Sequence, residues 1–503
     1  MNNVSDSRLA SMLRKFLSRR YEDEKKMKGI QLCGSRMINH IQLGKTVFVM
    51  SDEAENSAFF GNAHCHSPWC CPICTPKVMA KKGTNIACLI DARIKWEGLV
   101  PFMVTFTMPH NSQMSCEFAF EVLQKAWRMF IRPGHRGKNS QGKSAGAWGK
   151  FREEFDVKHL VRVYEFNWGV MNGWHPHIHA LFWTKPENLP LLAAYEDELA
   201  DLFYHCAEYS HMSVLIKKLL TEGMSRAIIR DSLSAPRFKD GIGAWAFQRL
   251  LREIDLDALD EELPNELYPD SERMKVSVMS RLDRALELFE FHKYKPDSPK
   301  CVWFSKDKHG QVRSINSSYY LSGWGGDSEL TNSTAKTSQY ENHYTMPELL
   351  IAAYESESVE ERDYYLRLFV EYAIATRGAR RVCFTPGDNK LIEKWKQTED
   401  FVETYKKKAM DRVREMHVVF WFTEQEWSRI SYEELYSDYY IKDRILELAR
   451  APDCEEKIIA YLAEFNIFVA KKKVHHATDI VNRLFSHWYE EQLMNDEAEV
   501  EPA

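Results

Sequence analysis

The sequence predicts an α+β fold with a central antiparallel β-sheet flanked by helices, between a cysteine-rich N-terminal segment and a helical C-terminal region. Three stretches rich in β-branched and aromatic residues have the composition of strands: residues 101–110, 159–169 and 174–183. Helical patterns follow them at residues 187–300 and 347–415. Four cysteines crowd into residues 65–74, which suggests a metal site rather than a disulfide framework, because the chain is long and the cysteine count is odd.

The totals bound the class of protein. The chain has 503 residues, enough for about three domains. We expect them at residues 1–95, 96–335 and 336–503. No apolar run reaches the roughly 20 residues of a membrane helix, and the charged N-terminus lacks a signal-peptide core. We therefore expect a cytoplasmic protein without a membrane anchor. The net charge of −6 does not indicate nucleic-acid binding, although local patches of positive charge decide such binding more than the net charge does.

The second and third strands are expected to form a hairpin. The segments "HLVRVYEFNWG" and "WHPHIHALFW" are separated by an Asn-Gly turn signal at residues 172–173. The first strand, "PFMVTFTMPH", ends near Pro109 and is followed by a helical pattern at residues 117–131. A basic stretch rich in glycine and serine, residues 132–150, reads as a flexible loop before the hairpin.

The hairpin carries a candidate metal site. His177 and His179 share one face of their strand, while Ile178 and Ala180 point into a core. If the strands pair, Glu165 lies beside the histidines, because opposed residues sit about 5 Å apart. Two imidazoles and a carboxylate with open coordination positions suit Mg²⁺ or Mn²⁺ acting as a Lewis acid. The alternative is a set of hydrogen-bonded surface histidines without a metal.

The cysteine stretch is a candidate structural zinc site. The spacing Cys71-Pro-Ile-Cys74 lets two thiolates converge on one tetrahedral ion. The candidates for the remaining two ligands are Cys65 and Cys33, with Cys70, His64 and His66 as substitutes. A redox Cys-x-x-Cys motif is the alternative, but it requires a thioredoxin-like βαβ context that the sequence does not show.

The order of these motifs carries a resemblance to a known family. The cysteine cluster, "VTFTMPH", "VYEFNWGVMNGWHPHIH" and "YYLSGWGGDSELT" follow one another as in the rolling-circle replication initiators (Rep proteins) of plasmids. These initiators belong to the HUH endonuclease superfamily. The resemblance covers roughly residues 30–385 and implies an HUH-type central sheet. Its most specific part is the His-x-His segment with "NGW" before it.

The resemblance also implies roles for single residues. His177 and His179 correspond to the HUH metal ligands, and Glu165 corresponds to a third ligand, with His175 as its competitor. Tyr320 aligns with the catalytic tyrosine, and the adjacent Tyr319 is the alternative nucleophile. Gly323 stands where the family has a lysine. By the family's chemistry, the tyrosine attacks a DNA phosphate and leaves a 5′-phosphotyrosine and a free 3′-hydroxyl, which primes replication.

DNA contacts are expected from the basic loop and from the two tryptophans that flank the metal hairpin. The candidates are Arg132, Arg136, Lys138, Trp168 and Trp174. The expected partners are origin DNA, single-stranded or hairpin, and a DNA polymerase that extends the 3′-hydroxyl. A host helicase is also expected, because the sequence contains no phosphate-binding G-x₄-G-K-[ST] loop.

Two other functions remain open at this point. A transposase or a conjugative relaxase shares the same site chemistry and differs only in the DNA that it cuts. A non-enzymatic, zinc-containing DNA-binding regulator would keep the histidine strand for structure alone, and Gly323 is the feature that supports it.

Overall fold

The computed structural model describes the following parts of the chain: residues 4–21, 27–40, 44–52, 56–131, 147–241, 244–256, 271–293, 302–303, 342–403 and 416–471. They divide into two compact units. The described residues of Met1–Glu97 and Tyr344–Ala503 form the first unit, and those of Gly98–Asn316 and Ser338–His343 form the second. The sequence predicted three consecutive domains, whereas the first of these units combines residues from both ends of the chain. The three-domain division stays a prediction.

The structure is a mixed α/β arrangement with antiparallel sheets and many helices. Its strands are β1 (Asn39–His40), β2 (Gly44–Ser51), β3 (Ser57–Phe60), β4 (Val100–Thr107), β5 (Leu160–Gly169), β6 (Gly173–Thr184), β7 (Val302–Trp303), β8 (His343–Thr345), β9 (Val382–Phe384) and β10 (His417–Thr423).

Its α-helices are α1 (Asp6–Arg20), α2 (Lys28–Leu32), α3 (Cys74–Ala92), α4 (Cys116–Ile131), α5 (Ala147–Glu154), α6 (Leu189–Leu192), α7 (Glu196–Thr221), α8 (Arg226–Leu233), α9 (Pro236–Gly241), α10 (Ala244–Leu256), α11 (Ser271–Lys293), α12 (Met346–Glu355), α13 (Val359–Ala375), α14 (Asp388–Lys396), α15 (Glu399–Phe401), α16 (Glu424–Tyr436), α17 (Ile441–Leu448) and α18 (Cys454–Ala463). Within the described ranges, none of the helices is both long and apolar enough to cross a membrane.

The second unit is built on an antiparallel sheet in which β7, β4, β6 and β5 lie side by side in that order. The strands β5 and β6 form the expected hairpin, and the turn between them reaches Gly173 with a positive φ of 71°. A Cβ atom at Gly173 would lie 2.7 Å from the Cα atom of Ser112. Only glycine tolerates both this close approach and this backbone conformation.

One face of that sheet is packed with aromatic side chains from α4 and α7. The ring of Phe106 on β4 lies 5.5 Å from Trp127, 4.9 Å from Phe130 and 5.0 Å from Phe203, measured between ring centroids. Ile178 stands opposite Phe106 on β6 and is fully buried. Because side chains alternate along a strand, the neighbours of Ile178 point to the other face.

The first unit has its own antiparallel sheet, in which β2 pairs with β1, β3 and β10. Phe420 and Phe422 of β10 and Trp427 of α16 are buried with Val47 and Val49 of β2. The helical expectation for residues 336–503 is met by α12 to α18 but not at β8, β9 and β10. The segment "HVVFWFT" is β-branched and aromatic, and its alternate residues face this core.

Candidate metal centres

The register of β5 and β6 brings three metal-binding side chains together. Glu165 pairs with His177 across the hairpin, and Val163 pairs with His179, so the three functional groups share one face. All three residues are buried, with exposed fractions of 2% for Glu165, 7% for His177 and 2% for His179. Their ligand atoms lie within 4.8 Å of one another.

The distances within this group fit a divalent ion. The Nε2 atom of His179 lies 2.9 Å from Oε2 of Glu165, and Nε2 of His177 lies 3.5 Å from the same oxygen. An octahedral ion with bonds of about 2.1 Å holds neighbouring donor atoms about 3 Å apart. The group can hold a metal ion through one carboxylate and two imidazoles, with further coordination positions open to a substrate or water.

Strand β4 fixes the orientation of one imidazole. Thr105 stands opposite His179 across β4 and β6, and its Oγ1 atom lies 2.7 Å from Nδ1 of His179. That contact leaves Nε2 directed at Glu165. A hydrogen bond on the far nitrogen selects the tautomer and raises the basicity of the nitrogen that binds a metal. His177 differs, because its Nδ1 is buried without a hydrogen-bond partner in the described structure.

His175 lies next to this group but outside it. Its ring stacks on His110 with a centroid distance of 4.5 Å and an interplanar angle of 13°. Desolvation and the neighbouring imidazoles of His110 and His177 hold the pKa of His175 well below its usual range, so the ring is neutral. The structure thus brings Glu165, and not its competitor His175, together with the histidine pair.

The four predicted zinc cysteines converge in the first unit. Cys33 follows α2, Cys65 follows β3, and Cys71 and Cys74 lie at the start of α3. The sulfur of Cys33 lies 3.5 Å from the sulfurs of both Cys71 and Cys74. A tetrahedral zinc ion with Zn–S bonds of about 2.3 Å places sulfurs about 3.8 Å apart. The cysteine group can therefore hold a zinc ion.

Contacts among the four sulfurs lower the pKa of Cys33 and Cys74 and raise the pKa of Cys65 and Cys71. Hydrogen bonds from Cys65 and Cys71 lower the pKa of Cys33 to about 5. Burial acts to lower the pKa of His64, but its contacts with Cys33 and Cys74 outweigh burial and raise the pKa to about 9. A protonated His64 donates a hydrogen bond to a thiolate and cannot also bind a metal through that nitrogen. Burial raises the pKa of Cys70 to about 11, so that thiol stays neutral.

The other predicted site residues fall in different places. The two candidate nucleophiles and the three basic loop residues, Tyr319, Tyr320, Arg132, Arg136 and Lys138, lie outside the described residues. Trp174 is described, and it is only 2% exposed, so its ring is packed inside the second unit and does not face solvent for base stacking.

Sequence reasoning missed Thr105 and Arg14. Thr105 alternates with apolar neighbours in "VTFTM", and this alternation was the available signal for its position on the histidine face. Arg14 donates a hydrogen bond of 2.7 Å to the carbonyl of Cys33 and forms an ion pair of 3.2 Å with Glu434. No local pattern in α1 signals either contact, because both partners are distant in sequence.

Comparison with known proteins shows limited similarity. The chain is 26% identical over 149 residues to "Protein rep" of Streptomyces lividans, a match that covers 27% of this chain and 32% of that protein. It is 37% identical over 76 residues to the DNA-directed RNA polymerase subunit beta′ of Acetivibrio thermocellus, covering 15% of this chain and 6% of that subunit. The chain thus spans a third or less of the length of these curated relatives. No family model and no solved structure matches the chain.

Proposed function

We propose that this protein is a Rep-type replication initiator that nicks one strand of origin DNA and later rejoins it, with the chemistry of the HUH superfamily. The observation that carries the proposal is the buried group of Glu165, His177 and His179 on one face of an antiparallel hairpin. The similarity to a Streptomyces Rep protein supports it independently.

The reaction assigned to the site is a transesterification. A tyrosine oxygen, from Tyr320 or Tyr319, forms a bond to the scissile phosphorus while the bond from phosphorus to the 3′-oxygen breaks. The tyrosine loses its proton, and the departing 3′-oxygen gains one. A tyrosine hydroxyl has a pKa of about 10, so it is a weak nucleophile at neutral pH until it is activated.

The chain's own residues prepare the site for this reaction. Glu165, His177 and His179 would hold Mg²⁺ or Mn²⁺, and Thr105 orients His179 from behind. When bound, such an ion supplies Lewis-acid polarisation of a phosphate oxygen. The surrounding buried strands restrict water around the three ligands, which strengthens their charge interactions.

The free 3′-hydroxyl would be extended by a host DNA polymerase, and a host helicase would unwind the duplex ahead of it. The phosphotyrosine retains the energy of the broken ester, so rejoining needs no ATP. The reaction would take place on plasmid DNA in the cytoplasm. The cysteine group would hold structural Zn²⁺ and take no part in the chemistry, because a closed set of four thiolates leaves no open position.

The test is a cleavage assay on single-stranded oligonucleotides that tile the replicon's own origin, with Mn²⁺, followed on a denaturing protein gel. The variants are Tyr319→Phe, Tyr320→Phe and the double variant His177→Ala/His179→Ala. The matched control is His205→Ala, which removes an exposed imidazole from α7 of the same unit.

We expect a covalent protein–DNA band that disappears with one tyrosine change and with the histidine pair, and that persists in the control. Binding to the oligonucleotides without a covalent band in the wild-type chain would contradict the proposal. That result would favour the zinc-containing DNA-binding regulator.

A further inference from the structure

A cavity of the second unit lies between three helices, and its lining does not include the metal ligands. It has a volume of about 280 Å³ and is lined by the start of α4, the C-terminal half of α7 and the middle of α11. Small-molecule sites begin at roughly 300 Å³, so this cavity has room for one compact group. One wall is apolar, with Met114, Phe118 and Leu215.

The charge of the lining is entirely positive. Lys218, Arg281 and Arg284 line the cavity, and no carboxylate does so among the described residues. Glu222 forms an ion pair with Arg281 and also attracts Lys218, whereas the contact described for Arg284 is the one from its Nε atom to the carbonyl of Ser280, at 3.3 Å. Three cations against one neighbouring carboxylate leave a net positive charge at the opening, which favours an anionic group such as a phosphate.

The N-terminus of α4 adds to this positive potential. Ser115 lines the cavity and precedes the 16-residue helix α4. Its hydroxyl accepts from the amide of Phe118, and its carbonyl accepts from the amide of Ala119. The partial positive charge of a helix N-terminus attracts anions.

His211 is the buried imidazole of the lining. The residue is 7% exposed, and its Nδ1 atom is shielded from the cavity and has no hydrogen-bond partner among the described residues, so the ring meets the cavity through its other atoms. Its ring meets the ring of Phe118 edge-on at 5.0 Å. Burial lowers the pKa of His211 to about 4, so the imidazole is neutral at pH 7 and can donate or accept a hydrogen bond according to its tautomer.

The lining is continuous with the metal-binding hairpin. Asn111 lines the cavity and lies four residues after Thr107, which stands opposite His177. Four residues span at most about 14 Å. The turn glycine, Gly173, packs directly against the backbone of Asn111 and Ser112. The metal ligands point to the face of the sheet opposite α4 and α7, so a strand held at the metal group would pass around the end of β4 and reach the cavity over several nucleotides.

We propose that this cavity binds one nucleotide of the single-stranded DNA substrate, with its phosphate on Lys218, Arg281 and Arg284 and its base against Phe118 and His211. The proposal rests on the proposed function for the identity of the strand. It assigns the cavity a binding role and not a catalytic one.

The phosphate contacts are tested by the salt dependence of binding. The probe is a labelled single-stranded origin oligonucleotide, titrated with the full chain carrying Tyr319→Phe/Tyr320→Phe and without added Mg²⁺ or Mn²⁺, so that no cleavage occurs and zinc stays bound. We expect Lys218→Ala/Arg284→Ala to weaken binding and to reduce the slope of log Kd against log salt by about 0.7 per lost contact.

The matched control for that experiment is Lys185→Ala/Arg128→Ala. Arg128 is exposed, like Arg284, and its Nε atom also donates to the carbonyl four residues earlier, at 3.2 Å. Lys185 is exposed just after the far end of β6. The control should bind with the wild-type slope, and thermal unfolding of both double variants should match the wild type. An equal slope in the cavity variant and the wild type overturns the phosphate assignment.

The base contact is tested by abasic scanning of the same oligonucleotide. A base held in the cavity makes one position stand out, with a loss of roughly 5- to 100-fold when that base is removed. His211→Phe preserves the packing but removes the nitrogens, and we expect it to weaken binding roughly 3- to 10-fold. His205→Phe, on the same helix, should have no effect.

The outcomes separate this proposal from the nicking proposal. Unchanged binding by the cavity variants, with nicking intact in the wild type, overturns the cavity alone. A wild-type chain that does not nick but binds through the cavity supports the cavity and contradicts the proposed function. A labelled mononucleotide provides the last comparison. If it binds the wild-type chain but not the cavity variants, and oligonucleotide binding is unchanged, the cavity binds a free nucleotide and the substrate assignment is overturned.

Discussion

The two candidate metal centres are both buried, yet they are built in different ways. The cysteine group draws four sulfurs from three separate stretches of the first unit, and the set is complete for a tetrahedral ion. The Glu165, His177 and His179 group uses only two neighbouring strands of the second unit and provides three ligands. The first ties distant chain segments together, whereas the second leaves coordination positions free for chemistry. A metal should therefore stabilise the first unit and activate the second.

The largest expected effect is on the stability of the first unit. In Cys71→Ser/Cys74→Ser we expect the zinc to be lost and that unit to unfold, because structural zinc contributes about 10–16 kcal/mol of binding free energy in small domains. The measurements are the zinc-to-protein ratio and the thermal unfolding curve. Full zinc content in this variant would mean that Cys71 and Cys74 are not zinc ligands.

The next effect separates the two candidates for the third ligand. We expect Glu165→Gln to weaken Mn²⁺ binding by more than about 100-fold, since a lost ligand costs at least as much as a lost supporting hydrogen bond. His175→Gln should change the affinity less than about 3-fold, because His175 stacks on His110 outside the group. Titration followed by electron paramagnetic resonance of free Mn²⁺ measures both. Equal losses in the two variants would place His175 among the ligands.

A smaller effect is expected at Thr105. Its hydroxyl lies 2.7 Å from Nδ1 of His179, and removing such a support costs roughly 10- to 100-fold in metal affinity. Thr105→Val should therefore weaken Mn²⁺ binding by that factor without unfolding the second unit. Thr105→Ser, which keeps the hydroxyl, should restore most of the affinity. A serine variant as weak as the valine variant would argue against the hydrogen bond.

The smallest effect concerns the spare cysteine. Cys70 is adjacent to Cys71, but its thiol is neutral and contacts Ser67 at 3.4 Å. We expect Cys70→Ala to keep the wild-type zinc content and to cost about 1 kcal/mol of stability or less. Loss of zinc in this variant would mean that the zinc site uses a different set of four ligands.

The sequence predicted the members of both metal-binding groups, but only the hairpin group followed from a local rule. Alternation and the Asn-Gly turn place Glu165 opposite His177, because register within a hairpin is set locally. The return of Cys33 and the pairing of β10 with β2 depend on contacts between distant parts of the chain, which no local pattern encodes. β10 itself has a local strand signal in its β-branched and aromatic composition, which the helical expectation for residues 336–503 overlooked.

The cavity beside His211 was beyond sequence reasoning altogether. It exists because α4, α7 and α11 pack at particular angles, and its cations come from two helices whose solvent-facing charges look ordinary in sequence. His211 itself carries no motif. Only its burial without a hydrogen-bond partner distinguishes it from a core histidine.

The pairing of β2 with β10 has a consequence for folding during synthesis on the ribosome. Ser51 pairs with His417, more than 360 residues later in the chain. At translation rates of about 5–20 residues per second, one edge of β2 waits roughly 20–70 s for its partner strand. The second unit, encoded between the two halves of the first, has time to fold completely in that interval. Until β10 is made, that edge of β2 lacks its partner strand, and an unpaired apolar edge is a site at which chains can aggregate.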